Sequence, residues 1–411
     1  MKGAAVSFLR GRASAGSILG KLLLATLLAV LASCGGSGGG GGPGGAATPV
    51  AGAAMGPNVL AVTVDTGTDG RSINSPYASV TICVPGTTTC QTVNHVLVDT
   101  GSYGLRLASS AVTSTLAAAL PAVTTPGGLA IAECAHFATG FAWGPVRRAD
   151  VKLAGETAAG LPIQIVSDPA HAGAPASCSN TGADFGATLG ANGILGVGLF
   201  NQDCPLCSQS TSPGAYFACT GASCSGTVVP LSSQVANPVP AFAENNNGVA
   251  LVMPEVPPGG VGTLSGSLIF GIGTQANNQL GSATVYATNS QGNFTTRYNG
   301  VDYTSSFLDS GSNGIFFTDP AIPKCFDFYC PPAPLTLSAV NTSATGVSGT
   351  VTFRIESIQS ISASVAAAHV GGDIGLAGIF DWGLPFFFGR TVFVAIEGAP
   401  TAKGPGPYWA Y

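Results

Sequence analysis

Two carboxylates sit at the ends of near-copies of one peptide. Val96-Leu97-Val98 runs into Asp99, Thr100, Gly101 and Ser102, and Ser306-Phe307-Leu308 runs into Asp309, Ser310, Gly311 and Ser312. In each copy an apolar strand delivers an Asp into a turn of hydroxyls and a Gly. Two such turns set face to face would hold two carboxylates over one water. Carboxylates in contact cannot both ionise, so such a pair shares a proton. One member can then take a proton from water while the other donates to a carbonyl.

The surroundings repeat as well. Asp99 is followed by Gly104-Leu105-Arg106-Leu107 and, much later, by Asn192-Gly193-Ile194-Leu195-Gly196-Val197-Gly198. Asp309 is followed by Gly314-Ile315-Phe316-Phe317 and, much later, by Phe380-Asp381-Trp382-Gly383-Leu384-Pro385-Phe386-Phe387. Each half reads as Asp turn, long excursion, apolar pair, Gly, which points to an internal repeat. A Gly at the end of an apolar strand lets another backbone pass closely, and the passing backbone would be the Asp turn.

The elements that must carry these turns read as all-β. β-branched and Gly-rich runs recur with turn signals between them: Ala78–Ile82, Val96–Val98, Ser267–Phe270 and Val351–Ile355. Ser109–Leu120 and the Ala-rich Ser362–Ala368 are expected as short helices. The length suits two lobes, 58–235 and 236–411, with the boundary in the Ser/Asn/Pro stretch Ser232–Pro240. The run Phe386-Phe387-Phe388 is expected in the core.

Other chemistries fit poorly. There is no Gly-x-Ser-x-Gly and only four His exist, His95, His136, His171 and His369, which argues against a serine hydrolase. His95 lies on the strand into Asp99 and reads as packing or solvent-facing. Glycosidases use two carboxylates without needing twin donor turns. Gly271-Ile272-Gly273 lacks the third Gly of a dinucleotide loop and reads as a turn. With 14 Lys+Arg against 19 Asp+Glu, there is no basic excess to hold nucleic acid.

The first residues read as an export signal. Lys2, Arg10, Arg12 and Lys21 precede the apolar run Leu22–Ala32, which is too short to span a bilayer and suits a signal h-region. The ending Leu31-Ala32-Ser33-Cys34 resembles a bacterial lipobox. That resemblance implies a signal peptide over 1–33, lipidation of Cys34 and, with Gly35 next, anchoring at the outer membrane of a Gram-negative envelope. Residues 34–57 are nearly all Gly, Ala, Ser and Pro, a flexible tether. Cys34 apart, an even number of the 11 cysteines remains, as suits an oxidising compartment. Cys83 with Cys90 and Cys325 with Cys330 are the expected local pairs. Cys204, Cys207, Cys219 and Cys224 pair as neighbours or nested, or hold zinc as the sharper alternative. Cys134 and Cys178 then join each other.

From about Asn74 to the end, the chain resembles the pepsin-like aspartic peptidases and, more narrowly, a bacterial lipoprotein family of unknown function with the same doubled motif. The resemblance implies a bilobal fold with a cleft for an extended peptide or unfolded protein. It implies no metal or organic cofactor, and a monomer. Asp99 and Asp309 would be the catalytic pair. Thr100 and Ser310 would bond across the two loops, Ser102 and Ser312 would donate to the outer carboxylate oxygens, and Gly101 and Gly311 would permit the close approach. The family covers its water with a Tyr-Gly-Thr-Gly flap whose Tyr bonds a Trp after the first Asp turn. The matching stretch here is Phe137-Ala138-Thr139-Gly140, followed by Trp143, and the Trp position holds Arg106. The two expected functions are therefore a lipid-anchored aspartic endopeptidase and a pepsin-like lipoprotein that binds without cutting.

Overall fold

The computed structural model describes residues 56–138, 140–169, 171, 173–185, 190–221 and 223–411. The signal segment, Cys34 and the tether up to residue 55 lie outside the described residues, as does Thr139. The regular elements of the described residues are mostly strands, in a 16-stranded and a 9-stranded sheet. All four strand segments read from the sequence lie inside strands, Pro76–Cys83, Cys90–Asp99, Leu264–Phe270 and Ser348–Ile355. Their spacing of branched apolar residues fits a pleated surface with one face covered; Ser348–Ile355 alternates accordingly, with Val351, Phe353 and Ile355 buried.

One arrangement occurs twice. The strand Cys90–Asp99 lies parallel to Gly193–Val197, Asp99 opposite Gly196, and the strand after the turn, Tyr103–Ala108, flanks Gly193–Val197 antiparallel on its other edge. In the second half Val301–Asp309 lies parallel to Ile379–Gly383, Asp309 opposite Gly383, and Ile315–Phe316 returns antiparallel along the far edge. Each Gly strand is thus wedged between the strand that enters an Asp turn and the strand that leaves it. Being covered on all sides, such strands read as near-continuous apolar runs. All five residues of Gly193–Val197 are buried.

The wedge explains the glycines. A methyl on Gly196 would stand 2.6 Å from the backbone nitrogen of Tyr103, and one on Gly383 would collide with the carbonyl of Gly314. The two halves are stitched beneath the site. Val59–Val64 pairs antiparallel with Leu264–Phe270 along its whole length, and Asn74 Nδ2 donates to the carbonyls of Asn313 and Ala368. In the second half Phe317 and Phe380 stack at 4.8 Å, with Phe353 and Trp382 edge-on to one another at 5.1 Å. Phe386, Phe387 and Phe388 are all buried.

One expected helix forms and one does not. Ser109–Leu120 yields a short turn at Ser109–Ala111 and the helix Ser114–Ala119, capped by Thr113. Ser362–Ala368 is not helical. The amides of Ala366 and Ala367 donate to Val261 O, and that of Ala368 to the Asn74 side chain, so tertiary partners override the Ala-rich propensity. The cysteines pair as Cys83–Cys90, Cys134–Cys178, Cys204–Cys207, Cys219–Cys224 and Cys325–Cys330. The four-cysteine cluster therefore forms two neighbour disulfides, which uses up the thiols a zinc site would need.

Candidate functional site

The two wedges bring the two Asp turns against each other. Thr100 N donates to Ser310 Oγ at 3.1 Å and Ser310 N to Thr100 Oγ1 at 2.9 Å. Each hydroxyl then donates across the junction, Thr100 Oγ1 to Leu308 O at 3.0 Å and Ser310 Oγ to Val98 O at 2.8 Å. Both residues are buried. Every donor and acceptor of the two hydroxyls that faces the junction is used, which locks the turns at one separation.

The carboxylates meet above this lattice. Gly101 N donates to Asp99 Oδ1 and Gly311 N to Asp309 Oδ1, each at 2.8 Å. Ser102 Oγ donates to Asp99 Oδ2, and Ser312 Oγ to Asp309 Oδ2 at 2.8 Å. The two carboxyls are close enough for the charge of Asp99 to act on Asp309. A methyl built on Gly101 would sit 2.6 Å from Asp309 Cγ, and one on Gly311 2.7 Å from Asp99 Cγ; each glycine therefore abuts the opposite carboxyl, where no larger residue fits. Enclosure of its carboxyl first, and the charge of Asp99 second, push Asp309 well above the usual carboxylate range. A pair of carboxyls in this setting favours keeping one proton between its members.

A cleft of about 490 Å³ opens over the pair, walled by Leu97 and Ile194 from the first half and by Phe307, Phe316 and Asp381 from the second. Over it reaches the hairpin formed by Ala130–His136 and Gly140–Leu153. Phe137 and Ala138 at its tip line the cleft, and Phe137 N donates to Gly140 O at 2.8 Å. The structure therefore assembles Asp99, Asp309, their six supporting residues and Phe137 about one space. Trp143 lies elsewhere: it pairs with Cys134 in register and packs edge-on against Phe217 at 5.4 Å.

The chain matches, over residues 54–411, the family described as "Protein of unknown function (DUF3443)". The chain belongs to this family. No curated protein matches it. Among solved structures it is similar to the crystal structure of aspartic proteinase from Irpex lacteus, with 16% identity and a TM-score of 0.49 over 86% of this chain and 96% of that chain.

The sequence reading named Arg106 and Asp381 but missed the contacts they make near the pair. Arg106 is buried below the hairpin, donating to Tyr103 O at 2.7 Å, Glu133 Oε1 at 2.5 Å and Asp203 Oδ2 at 3.0 Å. Its guanidinium carbon lies 5.9 Å from the Phe137 ring centroid, a cation–π distance. Arg106 and Phe137 thus form a contact of their own at the positions where the resemblance expects a Trp–Tyr hydrogen bond. Tyr216 Oη donates to Asp203 Oδ1 at 2.7 Å and completes the network. Burial first, and Asp203 among its neighbours, raise the Glu133 carboxyl well above its ordinary value against the pull of Arg106. The second group is Asp381, whose Oδ2 lies 2.7 Å from Ser312 Oγ. The signal was visible, since a charged residue within a buried Gly strand is out of place, but an Asp in an apolar run does not announce which neighbour it meets.

Proposed function

We propose that the protein is an aspartic-type endopeptidase that hydrolyses extended peptides through Asp99 and Asp309. The observation that carries this reading is the pair of facing carboxyls lining one cleft, each held by a Gly amide and a Ser hydroxyl and each abutting the other turn's Gly. In this mechanism the ionised carboxylate takes a proton from a water as its oxygen attacks the peptide carbonyl carbon. The proton on Asp309 is shared with the carbonyl oxygen as it becomes a hydroxyl. Collapse of the tetrahedral diol breaks the C–N bond and returns a proton to the leaving nitrogen. The glycine amides and Ser hydroxyls stabilise charge without reorganising, because the Thr100–Ser310 lattice has already fixed them.

The test is cleavage of an unfolded protein by the chain from residue 56 onward. Activity should be blocked by pepstatin and fall ~10²–10⁴-fold or more in Asp99→Asn and in Asp309→Asn. Unchanged rates in both variants would rule the mechanism out. A second reading, a binding protein that does not cut, draws support from Phe137, which brings no hydroxyl over the pair. It predicts no cleavage at any pH, with peptide capture that survives the Asp99→Asn/Asp309→Asn double change.

A further inference from the structure

The two halves of the site differ at one position. Asp99 faces Gly196 and Asp309 faces Gly383 across the parallel pairings, so the residue two before each Gly is Ile194 in the first half and Asp381 in the second. Both line the cleft. In the first half Ser102 Oγ contacts one carboxyl, Asp99. In the second, Ser312 Oγ lies between two, 2.8 Å from Asp309 Oδ2 and 2.7 Å from Asp381 Oδ2.

A serine hydroxyl carries one proton and can donate it once. With both carboxyls ionised, one of those two short contacts would set oxygen against oxygen with no hydrogen between them. Both become hydrogen bonds only if one carboxyl is protonated and donates to Ser312 Oγ. We infer that Asp381 is a third, protonated carboxyl of the site, a positioning residue that donates to Ser312 and so commits the Ser312 hydroxyl to Asp309. The inference rests on the dyad reading for its use in catalysis, and for the proton on the two Ser312 contacts together with the buried, apolar setting of Asp381.

The surroundings of Asp381 agree. It is buried, its Oδ1 has no hydrogen-bond partner among the described residues, and the residues beside it on the flanking strands are Phe307 and Phe316. An ionised carboxylate with one hydrogen bond and apolar walls is strongly disfavoured. The charged groups that reach it are carboxyls: Asp99 acts on Asp381, and Asp381 in turn acts on Asp309. Asp327 and Asp373 line the same cleft, the latter paired with Lys324 at 3.4 Å, and Arg71 is the cation on the wall. Burial first, eased by the Ser312 donor and reinforced by Asp99, pushes Asp381 up to about 8. Across the neutral range the three carboxyls therefore hold two protons. When Asp381 ionises it adds charge beside Asp309 and competes for the Ser312 proton, and both effects hold the proton of the pair more tightly.

Infrared spectra of protein with isotope-labelled aspartate, recorded from acid to alkaline pH, test this without relying on activity. The wild type should show a protonated-Asp carbonyl band that is missing from Asp381→Asn and disappears as the pH passes about 8. Identical neutral-pH spectra for wild type and Asp381→Asn would overturn the inference. If the wild type cleaves peptide, Asp381→Asn should move the alkaline limb of kcat/KM down by about one pH unit, and an unmoved limb also overturns it. Failure of the wild type to cleave at all counts against the endopeptidase reading and leaves the infrared result standing.

Discussion

At the scale of single residues, the hydroxyls of Thr100 and Ser310 matter for where they point, which is away from the cleft. Thr100 Oγ1 accepts from Ser310 N and donates to Leu308 O. Thr100→Val keeps the shape and removes both bonds, leaving a buried amide and a buried carbonyl unpaired at a cost of roughly 1–3 kcal/mol each. Urea unfolding should show a loss of about 2–5 kcal/mol, with a larger loss of activity than of stability, because the carboxyl separation is set by this bond. A loss below about 1 kcal/mol would mean that the junction relaxes around the change. The Asp, Gly and hydroxyl positions were legible in the sequence because each has a fixed chemical task and the motif occurs twice. Asp381 was not, because its partner Ser312 is remote along the chain and their contact arises only once the Gly strand is wedged beside the Asp turn.

At the scale of elements, the wedged strands and the hairpin obey different constraints. The wedge leaves a sequence trace, an apolar run ending in Gly, since only that composition survives burial on both edges. The hairpin leaves little, because its tip is held by side chains from other strands. Arg106 comes from the strand after the first Asp turn and Glu133 from the hairpin itself, so the ion pair beneath the hairpin was written in two separate segments. Arg106→Leu would strand Glu133 and Asp203 without their cation and should cost roughly 3–5 kcal/mol, whereas Arg106→Leu with Glu133→Leu should recover part of that loss. Thermal unfolding of the two variants decides it, and a double variant less stable than the single one would contradict the account. The Ala-rich segment shows the same lesson in reverse. Its composition favours a helix, but Val261 and Asn74 supply its amides with partners and hold it extended.

For the molecule as a whole, the buried acids set how stability responds to pH. Asp309, Asp381 and Glu133 are all raised in the folded state. A raised carboxyl makes the folded protein bind more protons than the unfolded chain, so its contribution is present below the unfolded value and is lost as pH rises toward the folded one. For Asp381 that window runs from about 4, the unfolded value, to about 8. Each such group lowers stability by at most about 1.4 kcal/mol per pH unit within its window. The midpoint of thermal unfolding should therefore fall between about pH 5 and pH 8, and fall less steeply in Asp381→Asn. A midpoint that climbs across this range would show that other titrations dominate.

The crossed bonds among Val98, Thr100, Leu308 and Ser310 also have a kinematic consequence. They lie between the two halves at the floor of the cleft, directly under the carboxyls. A displacement of one half against the other would have to break these bonds before it could part the two Asp side chains. On the proposed reading, an extended peptide would meet a carboxyl pair whose base is already fixed.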